Sequence, residues 1–294
     1  MSLVIIGLCG QSVFLRVPHF HRPEETLHAS ALFDEPGGKG YNQAVAAARM
    51  GAQVAFLGAV GQDTDGERCR ARLLEEGVEP HMAVKPGRTA YAAILTDDAG
   101  ENRVTVFAGA QLSPEDIEAD KALIEQADML LLTPEIPEAA FDRTVRAAKA
   151  HGVRIVINPA PFAPWVRRYL EDAWLLTPNR TEACEMLNCG EDELEAAVMR
   201  APYPRLVVTL GGAGALCKDG ERLTRLHAPK VTPVDTTGAG DCLNGVLCAK
   251  LIEGEPLDAA AAYAVRAASC SVTLAHVLDA MPYPEDVAED SMNR

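Results

Sequence analysis

The strongest chemical signal in the sequence is a glycine-rich turn that leads straight into an apolar helix. The turn, VDTTGAGD, occupies residues 234–241, and the apolar stretch CLNGVLCAKLI follows it. Glycines here leave consecutive backbone N–H groups exposed at a helix N-terminus, whose partial positive charge binds phosphate oxygens. Asp241 lies in the first turn of that helix and is suited to take a proton from a hydroxyl group that attacks a phosphoryl group. The structural alternative is a tight turn with an N-capping aspartate.

A second glycine-rich segment, PGGKGYNQ at residues 36–43, opens another helix. It is not a Walker loop, because glycine rather than serine or threonine follows Lys39. Its three glycines allow a ligand to approach the backbone, and Lys39 and Asn42 offer hydrogen-bond donors for hydroxyl groups or a phosphate. The alternative is a tight turn with a solvated lysine.

Two further signals follow predicted strands. Asn179 and Glu182 are three residues apart, so on a helix they share a face and are able to order a hydrated Mg²⁺ ion. The alternative is the start of a helix, where capping alone explains these residue types. The other signal, TLGGAG at residues 209–214, ends a strand with glycines at the carboxyl edge of a sheet, where α/β folds bind ligands.

The elements that would position these residues alternate between short apolar runs and helical patterns. This alternation is typical of a parallel sheet covered by helices on both faces. The predicted strands are 3–8, 54–60, 129–132, 154–157, 174–176 and 206–210. The predicted helices are 40–50, 65–76, 114–126, 138–151, 180–187, 239–252 and 258–275. We therefore predict an α/β fold of three layers, α/β/α, with a mostly parallel sheet.

Two segments, 11–35 and 88–108, depart from this alternation and have the pattern of extended chain. The second contains a turn at residues 97–100, which predicts a hairpin. We expect both segments to leave the edge of the main sheet and to form a small β sheet, called the lid below. No linker or internal repeat interrupts the chain, so residues 1–294 are predicted to form a single domain with the lid inserted in it.

Composition and charge exclude several classes of function. The 294 residues are 48% hydrophobic and 23% charged, and their formal net charge is −15. Such an acidic chain has no electrostatic basis for binding nucleic acid or an anionic membrane surface. No apolar run is long enough to span a bilayer. The eight cysteines lack the paired spacing of a metal site, so reduced thiols in the cytoplasm are expected.

Taken together and in this order, the four signals resemble the ribokinase-like (PfkB) family of carbohydrate kinases, and the resemblance covers nearly the whole chain. Its marks are GGKG-x-NQ at 37–43, N-x-x-E at 179–182, TLGG at 209–212 and DTTGAGD at 235–241. The resemblance implies transfer of the γ-phosphoryl group of ATP to a primary hydroxyl group of a small sugar or nucleoside. It also implies ATP and Mg²⁺ as cofactors, with K⁺ as a further candidate.

The resemblance further implies roles for individual residues, which divide into catalysis, metal binding, nucleotide binding and substrate binding. The catalytic base would be Asp241, and the anion hole would be Gly238, Ala239 and Gly240. Mg²⁺ would be held through water by Glu182, and a monovalent cation by Asp235 and Thr237. The nucleotide would contact Asn179, Thr209 and Gly211, and the substrate would contact Ser12, Gly38, Lys39, Asn42 and Glu135.

Two departures from the family pattern fall at the substrate end and in the cation loop. The first strand of this family usually ends in Asn-x-Asp, whose carboxylate binds two sugar hydroxyl groups, whereas this sequence reads Gly10-Gln11-Ser12. A charge-assisted contact of that kind typically contributes ~1.5–3 kcal/mol. Its loss predicts a weakened affinity for plain ribose. The loop that is expected to contain glycine reads TLAHV at residues 273–277.

The leading hypothesis is thus an ATP-dependent sugar kinase. One alternative is a nucleoside kinase of the same fold. Another is a catalytically silent relative that binds a sugar or nucleotide. The intact Asp241 argues against the silent relative, while the residues at 10 and 12 argue mildly for it.

The lid segments also predict an assembly. Each carries apolar residues on one face, and the main domain, off to one side, cannot fully cover them. These residues are Val13, Leu15 and Val17 in the first segment and Tyr91, Ala93 and Leu95 in the second. Because a small sheet with open edges is marginal by itself, we predict a homodimer through residues 11–35 and 88–108, with the substrate beneath the lid.

Overall fold

The computed structural model describes residues 2–99 and 101–287. The strands in these residues are β1 Ser2–Ile6, β2 Gly10–Arg16, β3 Ala31–Gly37, β4 Gln53–Gly61, β5 Glu79–Lys85, β6 Ala90–Thr96, β7 Asn102–Phe107, β8 Met129–Leu132, β9 Arg154–Ile157, β10 Leu175–Leu176, β11 Arg205–Thr209, β12 Ala215–Asp219 and β13 Arg222–Leu226. The α-helices are α1 Lys39–Arg49, α2 Thr64–Glu75, α3 Pro114–Ala119, α4 Lys121–Glu125, α5 Glu138–Ala150, α6 Arg180–Leu187, α7 Leu194–Arg200, α8 Ala239–Glu253 and α9 Leu257–Ser271. Short 3₁₀ helices occupy Pro164–Asp172, Glu191–Glu193, Gly211–Ala213 and Pro284–Asp286.

The main sheet of the described chain has nine strands in the order β13-β12-β11-β10-β9-β8-β1-β4-β5. All neighbours from β11 to β5 pair in parallel, while β12 and β13 add an antiparallel end. The central strand β1 is buried on both faces: Leu3 and Ile5 pack into one core, and Val4 and Ile6 pack into the other. The parallel sheet therefore needs helices on both sides.

The helices divide between these two cores. Buried residues of α1, α2, α8 and α9 belong to the core on one face, and buried residues of α3 to α7 belong to the core on the other. The predicted three-layer α/β fold with a mostly parallel sheet and a second, smaller sheet is confirmed. Across the described residues, none of the helices is both long and apolar enough to cross a bilayer.

The second sheet has the strand order β3-β2-β6-β7. Strand β2 pairs in parallel with β6 and antiparallel with β3, and β6 pairs antiparallel with β7 across the predicted hairpin turn. Gly100, the last residue of that turn, lies outside the described residues. In register, Ser12 lies beside Ala92, which lies beside Val106, so these three side chains share one face of the lid.

Several predicted elements differ from the structure. The helix predicted at 114–126 is two helices, α3 and α4, which are separated by Asp120. The carboxylate of Asp120 contacts the ring of His81 on β5. The helix predicted at 258–275 stops at Ser271, and the segment beyond it turns back toward the lid. The expectation that Val17 lacks a cover within the chain is wrong, since only 3% of this residue is exposed.

Candidate active site

Asp241 lies in the first turn of α8, three residues after the N-cap residue Gly238, which has φ +77°. This left-handed conformation suits glycine and lets the chain turn into the helix. The backbone N–H groups of the first turn have no partners inside the helix, and that of Ala239 donates to the carbonyl of Thr236 over 3.4 Å. A carboxylate and an anion-binding helix end therefore share one small region.

Two amides of α1 orient this carboxylate. Asn42 donates through Nδ2 to Oδ2 of Asp241 over 2.9 Å, and Gln43 donates through Nε2 to Oδ1 over 3.3 Å. Burial raises the pKa of Asp241, while Lys39 and the two amides favour its charged form and oppose that rise. The carboxylate is thus buried, oriented and more basic than an exposed aspartate.

Lys39 and Glu135 extend the charged cluster. The backbone N–H of Lys39 donates to Oε2 of Glu135 over 2.9 Å. The carboxylate of Asp241 raises the pKa of Lys39, and burial opposes this effect. Burial raises the pKa of Glu135 to about 7, with Lys39 acting in the opposite direction and Asp241 in the same one. Lys39 is the cation among these groups, next to the point where an anion would bind.

Asn179 and Glu182 form a reciprocal helix cap at the start of α6. Oδ1 of Asn179 accepts the backbone N–H of Glu182 over 2.9 Å, and Oε2 of Glu182 accepts the backbone N–H of Asn179 over 2.8 Å. The capping interpretation of these residues is therefore observed. Both side chains nevertheless line the same cavity as Asp241. Burial raises the pKa of Glu182 to about 6.

Three neighbouring cavities meet at these residues. The smallest, about 160 Å³, is lined by Lys39, Asn179, Glu182, Gly238 and Asp241, among others. It shares Thr209 and Gly240 with a cavity of about 640 Å³, which Gly211 and Ala239 also line. It shares Lys39, Gly238 and Asp241 with a cavity of about 230 Å³ beneath the lid. The cavity of about 160 Å³, called the middle cavity below, therefore lies between the cavity of about 640 Å³ and the cavity of about 230 Å³.

The residues predicted to bind substrate all line the cavity beneath the lid. These residues are Ser12, Gly38, Lys39, Asn42 and Glu135. Among the described residues that line this cavity, the lid supplies no charged side chain. Its contribution includes Ser12, Ala92, Ile94, Val104 and Val106. The charged groups of the cavity thus lie toward the main sheet, and a neutral, partly apolar wall lies toward the lid.

Only one of the two residues predicted to bind a monovalent cation lines a cavity of this site. Thr237 lines the cavity beneath the lid, whereas Asp235 lines none of the three cavities. Oδ1 of Asp235 accepts the backbone N–H of Thr237 over 2.9 Å. In the segment beyond α9, where glycine was expected, His276 adopts φ +72°. This left-handed conformation favours glycine and is uncommon for other residues.

Sequence reasoning missed three polar residues that line the same cavity as Asp241, namely Asn158, Thr177 and Asn244. Asn158 accepts a hydrogen bond from Gln43 over 3.1 Å and donates to the carbonyl of Thr177 over 2.7 Å. The side chain of Thr177 contacts Asn244 of α8, which donates to the carbonyl of Gly240 over 2.9 Å. Asn158 and Thr177 each follow a parallel strand, and this position at the carboxyl edge was the signal available in the sequence.

Known proteins match this chain over nearly its full length. The family model described as pfkB family carbohydrate kinase matches residues 1–282. Ribokinase of Bacillus subtilis (strain 168) is 35% identical over 299 residues, which cover 98% of this chain and 98% of that protein. Ribokinase of Haemophilus influenzae is 32% identical over 299 residues, covering 98% and 97%. The solved structure of ribokinase from Thermotoga maritima matches with a TM-score of 0.88 and 28% identity, covering 100% of this chain and 99% of that one.

A kinase for small carbohydrates is the class that these findings define. The chain belongs to the pfkB family of carbohydrate kinases. It is an ATP-dependent sugar kinase of ribokinase-like fold, which confirms the family, the activity and the use of ATP that the motifs predicted.

Proposed function

We propose that this kinase phosphorylates a primary hydroxyl group of a small, uncharged carbohydrate or nucleoside, with Asp241 as the catalytic base. The observation that carries the proposal is the position of Asp241, which lines both the middle cavity and the cavity beneath the lid. A hydroxyl group bound under the lid would lie next to this carboxylate, which would take its proton. The hydroxyl oxygen would then attack a phosphoryl group in the middle cavity. The nucleotide would occupy the large cavity of about 640 Å³.

In the proposed reaction, Asp241 accepts the proton of the substrate hydroxyl group as its oxygen attacks the γ-phosphorus of ATP. The bond from that phosphorus to the β,γ-bridging oxygen breaks, and ADP leaves with the electron pair. The backbone N–H groups of Gly238, Ala239 and Gly240 stabilise the negative charge on the phosphoryl oxygens. Lys39 stays protonated beside Asp241 and offsets the charge of the group in transfer. Asn42 and Gln43 keep the base oriented.

The residues near the phosphate position fit a hydrated Mg²⁺ ion. Among the described residues, no group of three or more His, Cys, Asp or Glu side chains gathers at one point, so the proposed Mg²⁺ coordination includes water and phosphate oxygens. Glu182 supplies a largely buried carboxylate in the middle cavity, and Mg²⁺ usually binds through one or two carboxylates, water and substrate phosphates. When bound there, Mg²⁺ would neutralise charge on the phosphates. Glu182 would hold its water shell, and Asn179 would lie beside it.

A monovalent cation such as K⁺ is the second proposed ion. The carboxylate of Asp235 and the carbonyl of Thr237 are oxygen donors of suitable chemistry. The backbone N–H of Asp235 contacts the carbonyl of Val272 over 3.3 Å, which places the turn beside the segment after α9. Helix α8, whose N-cap is Gly238, is therefore next to the proposed cation position.

The neutral wall of the lid narrows the proposed substrate class. A carboxylate opposite the base would bind a vicinal diol strongly, whereas Ser12 offers a single hydroxyl group between Ala92 and Gly37. A side chain at position 10 is also obstructed, because a Cβ atom on Gly10 would lie 2.5 Å from the carbonyl oxygen of Ala90. We infer that the end of the substrate under the lid carries fewer free hydroxyl groups than ribose does.

A homodimer through the outer face of the lid is part of the proposal. Leu32, Leu15 and Leu95 lie side by side in register on this face, and 66% of Leu32 is exposed. Tyr91 and Phe107 form a second exposed pair on the same face. A partner lid would cover this apolar row. We place the enzyme in the cytoplasm because all eight cysteines, every one of which is described, are reduced thiols.

An ADP-release assay across pentoses, deoxypentoses, hexoses, sugar phosphates and nucleosides, with and without K⁺, tests the proposed function. The proposal predicts turnover with at least one uncharged sugar or nucleoside and a preference for 2-deoxyribose or a substituted sugar over ribose. Tight ADP binding without turnover on any acceptor would contradict it and favour a binding protein.

A further inference from the structure

Glu35 is a buried carboxylate that the proposed reaction does not use. It lies on the lid strand β3, and only 5% of it is exposed. Its Oε1 accepts the backbone N–H of Val277 over 2.9 Å, and its Oε2 accepts the backbone N–H of Leu278 over 3.1 Å. A buried carboxylate requires such donors to offset its lost hydration. Glu35 therefore fixes the backbone of a segment that lies 242 residues further along the chain.

The segment that Glu35 holds touches the proposed anion site. A Cβ atom placed on Gly238 would lie 2.4 Å from Cγ1 of Val277, so the valine side chain packs directly against this glycine. Gly238 is the N-cap residue of α8. The positions of the N–H groups that follow it thus depend on where Val277 lies.

A second contact joins the same two segments. The rings of Phe33 and His276 stack with centroids 3.5 Å apart and planes inclined by 22°. Phe33 and Glu35 lie on the same face of β3, because they are two residues apart. The chain then continues through Gly37 and Gly38 to Lys39. Strand β3 therefore both holds the segment beside the anion site and leads into the substrate-binding segment.

We propose that Glu35 is a positioning residue for phosphoryl transfer, which acts through Val277 on Gly238 and so sets the anion site relative to the substrate segment. The inference rests on the proposed role of Gly238, Ala239 and Gly240 as the anion site. Stabilisation of a transition state by fixed N–H groups depends steeply on their distance and direction. Loss of the Glu35 contacts should therefore slow the chemical step more than it weakens the binding of ATP.

The kinetic test compares Glu35→Ala, Glu35→Gln and Val277→Ala in the full-length chain with the fastest substrate of the panel. Glu35→Ala is expected to lower kcat at least about tenfold, with the KM for ATP changed less than about threefold. Glu35→Gln should lose less, because its amide oxygen still accepts one of the two N–H groups. Val277→Ala should lower kcat with all Glu35 contacts intact.

Arg49→Met provides the matched control. Arg49 binds the same segment from α1, through Nη1 to the carbonyls of Leu278 over 2.7 Å and Met281 over 2.6 Å, whereas Glu35 binds the N–H groups of Val277 and Leu278. The Arg49→Met variant should have a lower melting temperature than wild type and a kcat within about twofold of the wild-type value. The proposal is overturned by a kcat within twofold of wild type for Glu35→Ala and Val277→Ala. It is equally overturned if Arg49→Met loses as much kcat as they do at an equal loss of melting temperature.

Amide hydrogen exchange gives a readout that needs no substrate. Glu35→Ala should speed exchange in the first turns of α8, where the N–H of Cys242 binds the carbonyl of Gly238 over 2.8 Å, and Arg49→Met should not. Unchanged exchange at Cys242 and Leu243 would contradict the proposal. If the wild-type chain turned over no acceptor, the proposed function would fail, while this arm would still decide the role of Glu35.

Discussion

The side-chain amide of Asn42 donates a 2.9 Å hydrogen bond to Oδ2 of Asp241, so the helix that follows the substrate segment orients the proposed base of a helix 199 residues away. Both residues line the cavity beneath the lid. A donor at this position favours the ionised carboxylate, which is the form that accepts a proton. Substrate recognition and base orientation therefore depend on the same turn of α1.

Glu182→Gln should raise the Mg²⁺ concentration that half-maximal activity requires. The amide oxygen can still accept the backbone N–H of Asn179, so the helix cap is kept, whereas the negative charge that holds metal-bound water is lost. The measurement is a Mg²⁺ titration of kcat at fixed ATP, with the melting temperature as the control for folding. Titration curves of mutant and wild type that overlay would leave Glu182 as a helix cap only.

Glu135 should make the protein less stable as the pH rises through weakly acidic values. Its pKa is raised by burial from 4.5 to about 7, so between these values the folded chain binds a proton that the unfolded chain has released. Stability then decreases as pH rises through this window and is constant with respect to this group above it. The unfolding free energy of wild type, relative to Glu135→Gln, should fall from pH 4.5 to 7.

The measurement is urea denaturation at intervals of half a pH unit, without ligands. Glu255→Gln, a change at an exposed carboxylate, is the control and should track wild type throughout. If the unfolding free energies of wild type and Glu135→Gln changed in parallel with pH, the pKa of Glu135 would be the same in the folded and the unfolded chain.

Much of the site was predictable because its residues are set by local sequence. Gly238 to Asp241 and Gly38 to Asn42 each lie within one turn and one helix start, and their spacing alone indicates an anion site and a ligand-binding turn. Most parallel strands were equally predictable, since strands buried on both faces read as continuous apolar runs. The parallel edge strand β5, which is only partly buried, was not predicted.

The missed features depend on partners far apart in sequence. Gln43 contacts Asn158 across 115 residues, and Glu35 contacts Val277 across 242. No local pattern distinguishes Glu35 from a solvated carboxylate in a lid strand. The end of α9 at Ser271 was missed for the same reason, because the segment beyond it is held by the lid rather than by a local stop signal.

Ser12→Asp should improve the use of D-ribose. A carboxylate at this point of the lid would form charge-assisted hydrogen bonds with ribose hydroxyl groups, and the KM for ribose should fall about tenfold or more. Ser12→Asn, which has the same shape without the charge, is the matched control, and Gly10 is left unchanged because of its contact with Ala90. Equal KM values for the two variants would show that Ser12 does not determine specificity.

Leu15→Glu should separate the proposed dimer into monomers. Leu15 lies between Leu32 and Leu95 on the outer face of the lid, and a charge there would lose its hydration in the dimer interface. Light scattering at micromolar concentration measures the oligomeric state. In the variant, the KM for the sugar should rise more than the KM for ATP. Leu74→Glu, at a position on α2 that is 57% exposed, is the control. A monomeric wild-type protein would refute the dimer.

The kcat of Asp241→Asn, measured with the fastest substrate of the ADP-release panel, decides whether Asp241 is the catalytic base. The amide keeps the shape of the side chain and its position at the start of α8 but cannot accept the hydroxyl proton. The kcat of this variant should be lower by about 10²–10⁴-fold, with the affinity for ADP nearly unchanged in calorimetry. A mutant that keeps more than about a tenth of the wild-type kcat would contradict the assignment of Asp241 as the base.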